Sequence, residues 1–342
     1  MPGVWDTILA ATHSDTTPLP SGSEMATAAG DGGLVTPLPG LGILHVAGAD
    51  AADFLHNQLT QGVIDLPPDQ TRLTAWCNPK GRTRAVLRLV PSDSGFLLIG
   101  DAAVLAAIRP TLQMFILRAQ VALTDLSDSE GLMGLAGPVA GTLLEETVGT
   151  LPRTGNAMTR GGDLHVVRVP DTDTDRWLVL APAQQLDALW QRYTEALTPG
   201  DPDFWQLLDI RAGLPQITPE TSEAFVPTML NLEPLGGISY QKGCYPGQEV
   251  VARMHYLGRL KRRMYRAHSP EEPAAPGTAV AKPDGTEAGS VVAAAPSPSG
   301  GSELLAVLRI DAAERGGLQI GEAPVELLDL PYPPPGTEAT AS

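Results

Sequence analysis

The densest run of chemically versatile side chains is KGCYPGQE, residues Lys242–Glu249. It combines an ammonium, a thiol, a phenol, an amide and a carboxylate, and its glycines and proline shape the backbone. The stretch before it, Asn231–Gln241, is typical of a loop, and the stretch after it, Val250–Leu257, is typical of a helix. Proteins commonly place binding or chemistry on a polar loop that leads into a helix. We call this run the octet.

Cys244 is the strongest candidate for a reactive group in the octet. The ammonium of Lys242 and the N–H groups at the start of the following helix favour the thiolate, which is the nucleophilic form of cysteine. We therefore take Cys244 and Lys242 as candidate catalytic residues. The alternative is that Cys244 is a small buried apolar side chain. A cysteine hydrolase is disfavoured, because His255 lies well along the next helix and no Asn or Asp is evident to orient it.

Two other residues have competing interpretations. Glu249 stands in the first turn of the predicted helix, where a carboxylate complements the helix dipole without any further role. Trp205 lies in a helix predicted over Phe204–Ala212, and it is either a stacking surface for a heteroaromatic ligand or an ordinary core side chain. The residue types alone leave both alternatives open.

Charge and cysteine content disfavour several classes of protein. The formal net charge of −16 argues against generic nucleic-acid binding. Cys77 and Cys244 are too few for a disulfide framework or a four-cysteine zinc site, so we expect no stably bound metal and a reducing, cytoplasmic setting. No run approaches the roughly 18 apolar residues of a membrane span. The first residues do not resemble a signal peptide.

A basic cluster follows the octet. It either binds an anionic ligand or partner, or forms a solvated edge at a domain junction. Its members are Arg253, Arg259, Lys261, Arg262, Arg263 and Arg266.

The order of predicted elements indicates a duplicated α+β fold. A strand–helix–strand–strand–helix order runs over residues 34–125 and recurs in outline over 126–260, and the two domains can interleave. Mostly antiparallel sheets with helices on one face suit such a pattern. The strand Arg82–Val90 alternates, which predicts a half-buried strand with Arg88 on its polar face.

The two ends of the chain have a different character. Short strands separated by Pro, Gly and Ser turns predict a small antiparallel β-barrel over 261–330. Composition predicts a flexible arm over 1–33, with one short helix at Val4–Ala11. The proline-rich residues 331–342 are expected to be an extended tail.

The octet also resembles a family signature. KGCYPGQE matches the K-G-C-[YF]-x-G-Q-E pattern of the YgfZ family, folate-binding proteins related to the glycine-cleavage T-protein, an aminomethyltransferase. Supporting blocks follow the family's order over about residues 40–330. They are Phe54–Thr60, Cys77–Arg82, Ala212–Pro215, Phe225–Pro227, Asn231–Glu233, Leu235–Ser239 and Val251–Arg253.

The resemblance implies a fold and a role. The body would be a duplicated ferredoxin-like, T-protein-type α+β structure around a central folate hole. The protein would be a tetrahydrofolate-binding factor for assembly or repair of iron–sulfur clusters, affecting enzymes that include those of tRNA modification. Its partners would be a reduced folate and iron–sulfur client proteins, without direct contact to nucleic acid or membrane, and we expect a monomer. One or two thiols are too few to hold a whole cluster.

The resemblance also assigns residues. Cys244 would be the functional thiol. The expected folate-binding residues are Trp205, Arg211, Tyr245, Gln248, Glu249, Asn231 and Lys80. Two positions depart from the family: Leu41 stands where some members have a second folate-contacting tryptophan, and Arg211 stands where T-proteins carry an acid that reads the donor edge of the pterin. Arginine has no acceptor, so recognition of the pterin would differ here.

Two alternatives accompany the binding-factor hypothesis. A folate-dependent, aminomethyl-type one-carbon transferase needs an acid or base beside the folate, and the candidates are Asp53, Asp65 and Asp209. A ligand-free interaction scaffold would fit the acidic surface. We expect a binding factor rather than an enzyme in the usual sense; if it is an enzyme, it is a folate-dependent transferase.

Overall fold

The structure, a computed structural model, describes residues 5, 8, 9, 20–170, 174–256 and 260–333. Part of the segment that composition predicts as a flexible arm is a regular helix, α1 (Gly22–Asp31). A capping box starts it: the Ser21 hydroxyl accepts from the Glu24 N–H, and the Glu24 carboxylate accepts from the Ser21 N–H at 2.8 Å. The buried side chains of Met25 and Ala29 hold this helix against the body.

Two other expectations about the ends fall mostly outside the described residues. Of the short helix expected at Val4–Ala11, only Trp5, Ile8 and Leu9 are described, and Trp5 and Ile8 are buried. The extended tail is described only as far as Pro333.

The first sheet has five strands. They are β2 (Leu41–Ala47), β3 (Arg72–Cys77), β4 (Thr83–Ser92), β5 (Gly95–Asp101) and β6 (Ala122–Asp125), in the order β3-β4-β5-β2-β6. The helices α2 (Ala51–His56) and α3 (Ala102–Met114) pack against it. The Asp101 carboxylate caps α3 by accepting from the Val104 N–H at 2.9 Å.

The second sheet has six strands. They are β1 (Leu34–Pro37), β7 (Glu130–Ala136), β8 (Met158–Gly161), β9 (Leu164–Arg168), β10 (Arg176–Pro182) and β11 (Thr198–Pro199), in the order β11-β1-β7-β10-β9-β8. The strand β1 precedes the first sheet in the chain but pairs with β7 and β11. The helices α4 (Pro138–Val148) and α5 (Ala183–Thr194) cover the outer face. The first strand of the predicted domain over 34–125 therefore belongs to the second sheet, and this strand links the two sheets.

The inner faces of the two sheets share one hydrophobic core, which also takes in α6 (Pro202–Arg211). This packing explains a correction to the sequence prediction for β4. The alternating pattern predicts a half-buried strand, whereas every residue of β4 between Ala85 and Pro91 is buried, Arg88 included. Both faces of the strand are covered, because the second sheet lies opposite the face that helices leave open.

A closed barrel follows α7 (Gln248–Tyr256). Its strands are β12 (Arg262–Ser269), β13 (Ala279–Ala281), β14 (Glu287–Pro296), β15 (Ser302–Arg309), β16 (Leu318–Ile320) and β17 (Ala323–Leu328). All described pairings among them are antiparallel, and a short helix α8 (Ile310–Arg315) leads into β16. The prediction of an α+β body followed by an antiparallel C-terminal barrel is confirmed.

One buried carboxylate joins the body to the barrel. Glu303, on β15, accepts from Arg211 of α6 at 2.6 Å and from Arg266 of β12 at 2.7 Å. Its side chain is 6% exposed. Burial raises the pKa of Glu303, but the hydrogen bonds from Arg211 and Arg266 outweigh burial and hold it below its usual range. The end of α6 is therefore fixed to the barrel by a two-arginine clamp.

Among the described residues, every helix is too short or too polar to cross a bilayer.

Candidate functional site

Lys242 anchors the start of the octet. Its ammonium donates to the backbone carbonyls of His56, Leu59 (2.6 Å) and Gln61 (3.5 Å). These carbonyls lie at the C-terminal end of α2 and in the turn after it, where the helix dipole favours a cation. Burial lowers the pKa of Lys242 to about 8. The ammonium is engaged by these carbonyls, so its role in activating Cys244 stays a prediction.

Two glycines bring the end of the octet against the β3–β4 turn. Gly247 has a φ of +81° and Gly81 a φ of +71°. A Cβ on Gly247 would lie 2.6 Å from the Asn78 carbonyl oxygen, and one on Gly81 would lie 2.9 Å from the Val250 Cβ. Only glycine permits this approach of the two backbones. The turn that carries Lys80 and the octet are thus one packed unit.

We expect Gly247→Ala to destabilise the protein. The left-handed backbone alone costs an alanine roughly 1–2 kcal/mol, and the contact with Asn78 adds to that cost. Gly236→Ala is the matched control, because Gly236 has a φ of +69° but open space around its Cβ position. Urea unfolding of both variants measures the difference. Equal losses of unfolding free energy would show that the contact between the two loops contributes nothing.

Cys244 and Tyr245 point to different environments. Cys244 is exposed, whereas Tyr245 is 6% exposed. The Tyr245 hydroxyl has no hydrogen-bond partner among the described residues, and burial, with a smaller effect of Cys77, raises its pKa. The interpretation of Cys244 as a buried apolar side chain is therefore wrong for this fold. Its thiol is open to a partner or a reagent.

His255 is held by residues other than Cys244. Its Nδ1 lies 2.9 Å from the Glu233 carboxylate, and its ring stacks on Tyr240 with centroids 3.9 Å apart. The Tyr240 hydroxyl donates to the same carboxylate at 3.1 Å. These contacts fix α7 to the loop before the octet.

A separate cavity lies between the two sheets. It consists of two adjoining spaces of about 100 and 110 Å³. Both spaces are lined by Leu41, Trp205, Asp209 and Gln216. We call it the central cavity. Its described lining contains no residue of the octet, so the cavity and the exposed thiol are distinct places.

Trp205 forms one wall of the central cavity. It is 5% exposed, and the Arg176 guanidinium lies 5.0 Å from the ring centroid. Gly134 of β7 makes room for the ring, since a Cβ there would come within 2.3 Å of it. The sequence alone left Trp205 as either a core side chain or a stacking surface for a ligand. The structure shows a buried side chain that lines the central cavity, and its contact with a ligand stays a prediction.

Buried charges surround this wall. Arg176 is 1% exposed at its side chain, donates to Asp209 at 2.7 Å, and leaves its Nε without a partner among the described residues. Arg88 donates to the Thr71 hydroxyl at 3.0 Å and to the Asn156 side chain at 2.7 Å. Burial lowers the pKa of Arg88 to about 10, and the nearby Asp209 opposes that shift. Arg88 therefore remains a cation near neutral pH.

The remaining predicted folate-binding residues lie away from the cavity. Arg211 is bound to Glu303, and Asn231 is fully buried and donates to the Met264 carbonyl of the barrel at 3.0 Å. Lys80 is exposed on the turn beside the octet. Glu249 is exposed and Gln248 partly exposed at the start of α7. The structure thus brings together the octet and Lys80. Of the seven expected folate-binding residues, Trp205 alone is in the described lining of the cavity, together with Asp209, one of the candidate acids.

Sequence reasoning missed the arginines beside the cavity. Arg88 follows a polar-face pattern in β4, and Arg176 begins β10 without any motif. The available signal was an arginine in a mainly apolar strand. If both faces of such a strand are covered, the buried guanidinium needs hydrogen-bond partners. Among the described residues, no group of three or more His, Cys, Asp or Glu side chains is placed to hold a metal ion.

Comparisons with known proteins agree with this architecture. Residues 34–199 match the GCVT N-terminal domain, and residues 261–341 match the CAF17 C-terminal β-barrel domain. The chain is 32% identical over 223 residues to the tRNA-modifying protein YgfZ of Yersinia enterocolitica, covering 65% of this chain and 67% of that protein. The protein of the same name from Colwellia psychrerythraea is 30% identical, with 67% and 69% covered.

A solved structure has the same fold. It is the glycine cleavage system aminomethyltransferase T from Bartonella henselae, with a TM-score of 0.71 and 16% identity. The match covers 90% of this chain and 88% of that structure. At this identity the likeness concerns the fold.

Proposed function

The chain belongs to the YgfZ family, and from this premise we propose that it is a reduced-folate-binding factor that supports iron–sulfur enzymes, including those of tRNA modification. The curated relatives carry the name tRNA-modifying protein. The proposal assigns tetrahydrofolate to the central cavity and gives the exposed thiol of Cys244 the contact with client proteins.

The observation that carries the proposal is the central cavity itself. Small-molecule sites are mostly apolar hollows with a few placed polar groups. Here Leu41, Leu73 and Ile99 supply apolar surface, and Trp205 supplies an aromatic wall. Asp209, Arg88 and Gln216 are the polar groups of the lining. A pterin ring, flat and edged with donors and acceptors, suits such a donor and acceptor set.

The position of Cys244 supports a client-facing role. The thiol is exposed on a loop that Lys242 fixes to the end of α2 and that Gly247 fixes to the β3–β4 turn. A single exposed thiol cannot hold a whole cluster, so contact with a cluster would be shared with the client protein. The described lining of the central cavity contains no residue of the octet, so ligand binding and the contact with a client would occur at separate places.

Isothermal titration with tetrahydrofolate tests the ligand. We expect saturable binding, and at 100 times the dissociation constant a gain of about 2.7 kcal/mol in unfolding free energy. Quenching of tryptophan fluorescence on binding should be lost or much reduced in Trp205→Phe, whereas Trp190→Phe, on α5, is the matched control that keeps it. Absence of both heat and thermal stabilisation with reduced folates would refute the ligand assignment.

A one-carbon transferase is the second candidate, and one observation favours it. Of the three acids proposed for that chemistry, Asp209 lines the cavity. Asp53 is exposed on α2, and Asp65, 73% exposed, pairs with Arg72 of β3 at 2.7 Å. An acid beside the folate is what proton transfer to it requires. Transfer of the labelled methylene group from methylenetetrahydrofolate to an amine acceptor supplied in the assay, with release of tetrahydrofolate, would favour the transferase over the binding factor.

A further inference from the structure

Two charged side chains near the end of α6 have different surroundings. Arg211 is bound to Glu303 of the barrel. Residues two apart on a helix point about 200° away from each other. Asp209 therefore faces away from the barrel, into the space between the sheets, and it lines both parts of the central cavity.

We propose that the Asp209 carboxylate is the group that recognises the donor edge of the pterin, by accepting hydrogen bonds from its 2-amino group and ring N3–H. This inference rests on the proposed function, since it assumes that a reduced folate enters the cavity.

The state of the carboxylate supports this role. Its Oδ1 accepts from the Arg176 Nη1 at 2.7 Å, and its Oδ2 has no hydrogen-bond partner among the described residues. The Asp209 side chain is 31% exposed, whereas that of Arg176 is 1% exposed. One oxygen is thus held by a fixed cation, and the other keeps its acceptor capacity beside the cavity.

The neighbours of Asp209 limit what it can bind. Arg176 packs over Trp205, so the guanidinium orients the carboxylate along the same wall that a flat ring would contact. The cavity also contains the Arg88 side chain, which can only donate. A ligand needs donors on one edge and acceptors on another to satisfy both residues. A 2-amino-4-oxopteridine has this distribution.

A ligand pair tests the proposal on the unaltered protein. Tetrahydrofolate has the 2-amino group, and its 2-desamino-2-methyl analogue has a methyl group of similar size in its place. A hydrogen bond to a charged acceptor is worth about 10- to 100-fold in affinity. We expect the analogue to bind weaker by that factor in isothermal titration. Equal affinities would overturn the proposal whatever any variant does.

A variant pair assigns the effect to this residue. Asp209→Asn should weaken tetrahydrofolate by about 10- to 100-fold and the analogue by a smaller factor, because the analogue keeps the N3–H donor but lacks the 2-amino donor. Asp203→Asn is the matched control, because Asp203 lies on the same helix but outside the central cavity. Unchanged tetrahydrofolate affinity in Asp209→Asn, or an equal loss for both ligands, would overturn the role of Asp209. If the unaltered protein binds no tetrahydrofolate, the proposed function fails and this inference fails with it.

Discussion

Cys244→Ala is expected to fold like the parent protein and to fail to restore iron–sulfur enzyme activity in a strain that lacks its own YgfZ protein. The thiol is exposed and makes no hydrogen bond among the described residues. Its removal should therefore change the unfolding free energy by less than about 0.5 kcal/mol. The measurements are a urea melt of the purified variant and the activity of a cluster-dependent tRNA-modifying enzyme in the complemented strain.

The second cysteine provides the matched control. Cys77 is 1% exposed, and burial raises the pKa of its thiol to about 12, so it is a poor source of thiolate. Cys77→Ala should cost about 1 kcal/mol of stability and still restore activity. The opposite result, full rescue by Cys244→Ala, would remove the exposed thiol from the mechanism. Tetrahydrofolate affinity should be unchanged in both variants, since neither cysteine lines the central cavity.

Glu303→Gln is expected to give the largest loss of stability. Removing one partner of a buried ion pair leaves the other charge uncompensated, which costs about 3–5 kcal/mol. We expect the lower end, about 3 kcal/mol, because Arg211 and Arg266 are 32% and 22% exposed and keep some access to water. Urea unfolding measures the loss. Glu287→Gln on the neighbouring strand β14 is the control, because the Glu287 side chain is 66% exposed and its pair with Arg262 is long, at 3.7 Å.

The same clamp predicts how stability depends on pH. The folded-state pKa of Glu303 lies below its usual range, so its contribution is fully present above the unfolded-state pKa of about 4.3. It is lost as the pH falls through the folded-state pKa. Melting temperatures should therefore fall less steeply below about pH 4.5 in Glu303→Gln than in the parent. Parallel curves would show that this carboxylate is not part of the acid response.

The sequence predicted the fold class because its signals are local. Alternating strands, glycine and proline turns and the change of pattern near residue 260 each depend on neighbouring residues, and the closed antiparallel barrel over β12–β17 agrees with the predicted barrel over 261–330. The octet was likewise evident, since eight consecutive residues carry it. The helix α1 was missed although its capping box, Ser21 and Glu24, is also local. Composition rich in Thr, Ala and Gly hid that signal.

Tertiary structure decided which of the candidate residues meet. Strand β1 joins the second sheet, and that sheet covers the face of β4 that the helices leave open. Arg88 is buried for that reason, although its local pattern predicts a polar face. The direction of a side chain on α6 then separates Arg211, which faces the barrel, from Asp209, which faces the cavity. A pattern of residue types contains no information about which neighbour each face meets.

The sequence by itself therefore determined the family signature, the α+β body with its barrel, and the identity of the candidate thiol. Only the tertiary structure decided that this thiol is exposed, that Lys242 is bound by the carbonyls after α2, and that the central cavity lies apart from both. The physical reason is that reactivity and recognition depend on burial and on partners distant in the chain. Long-range packing sets both, and local spacing does not encode them.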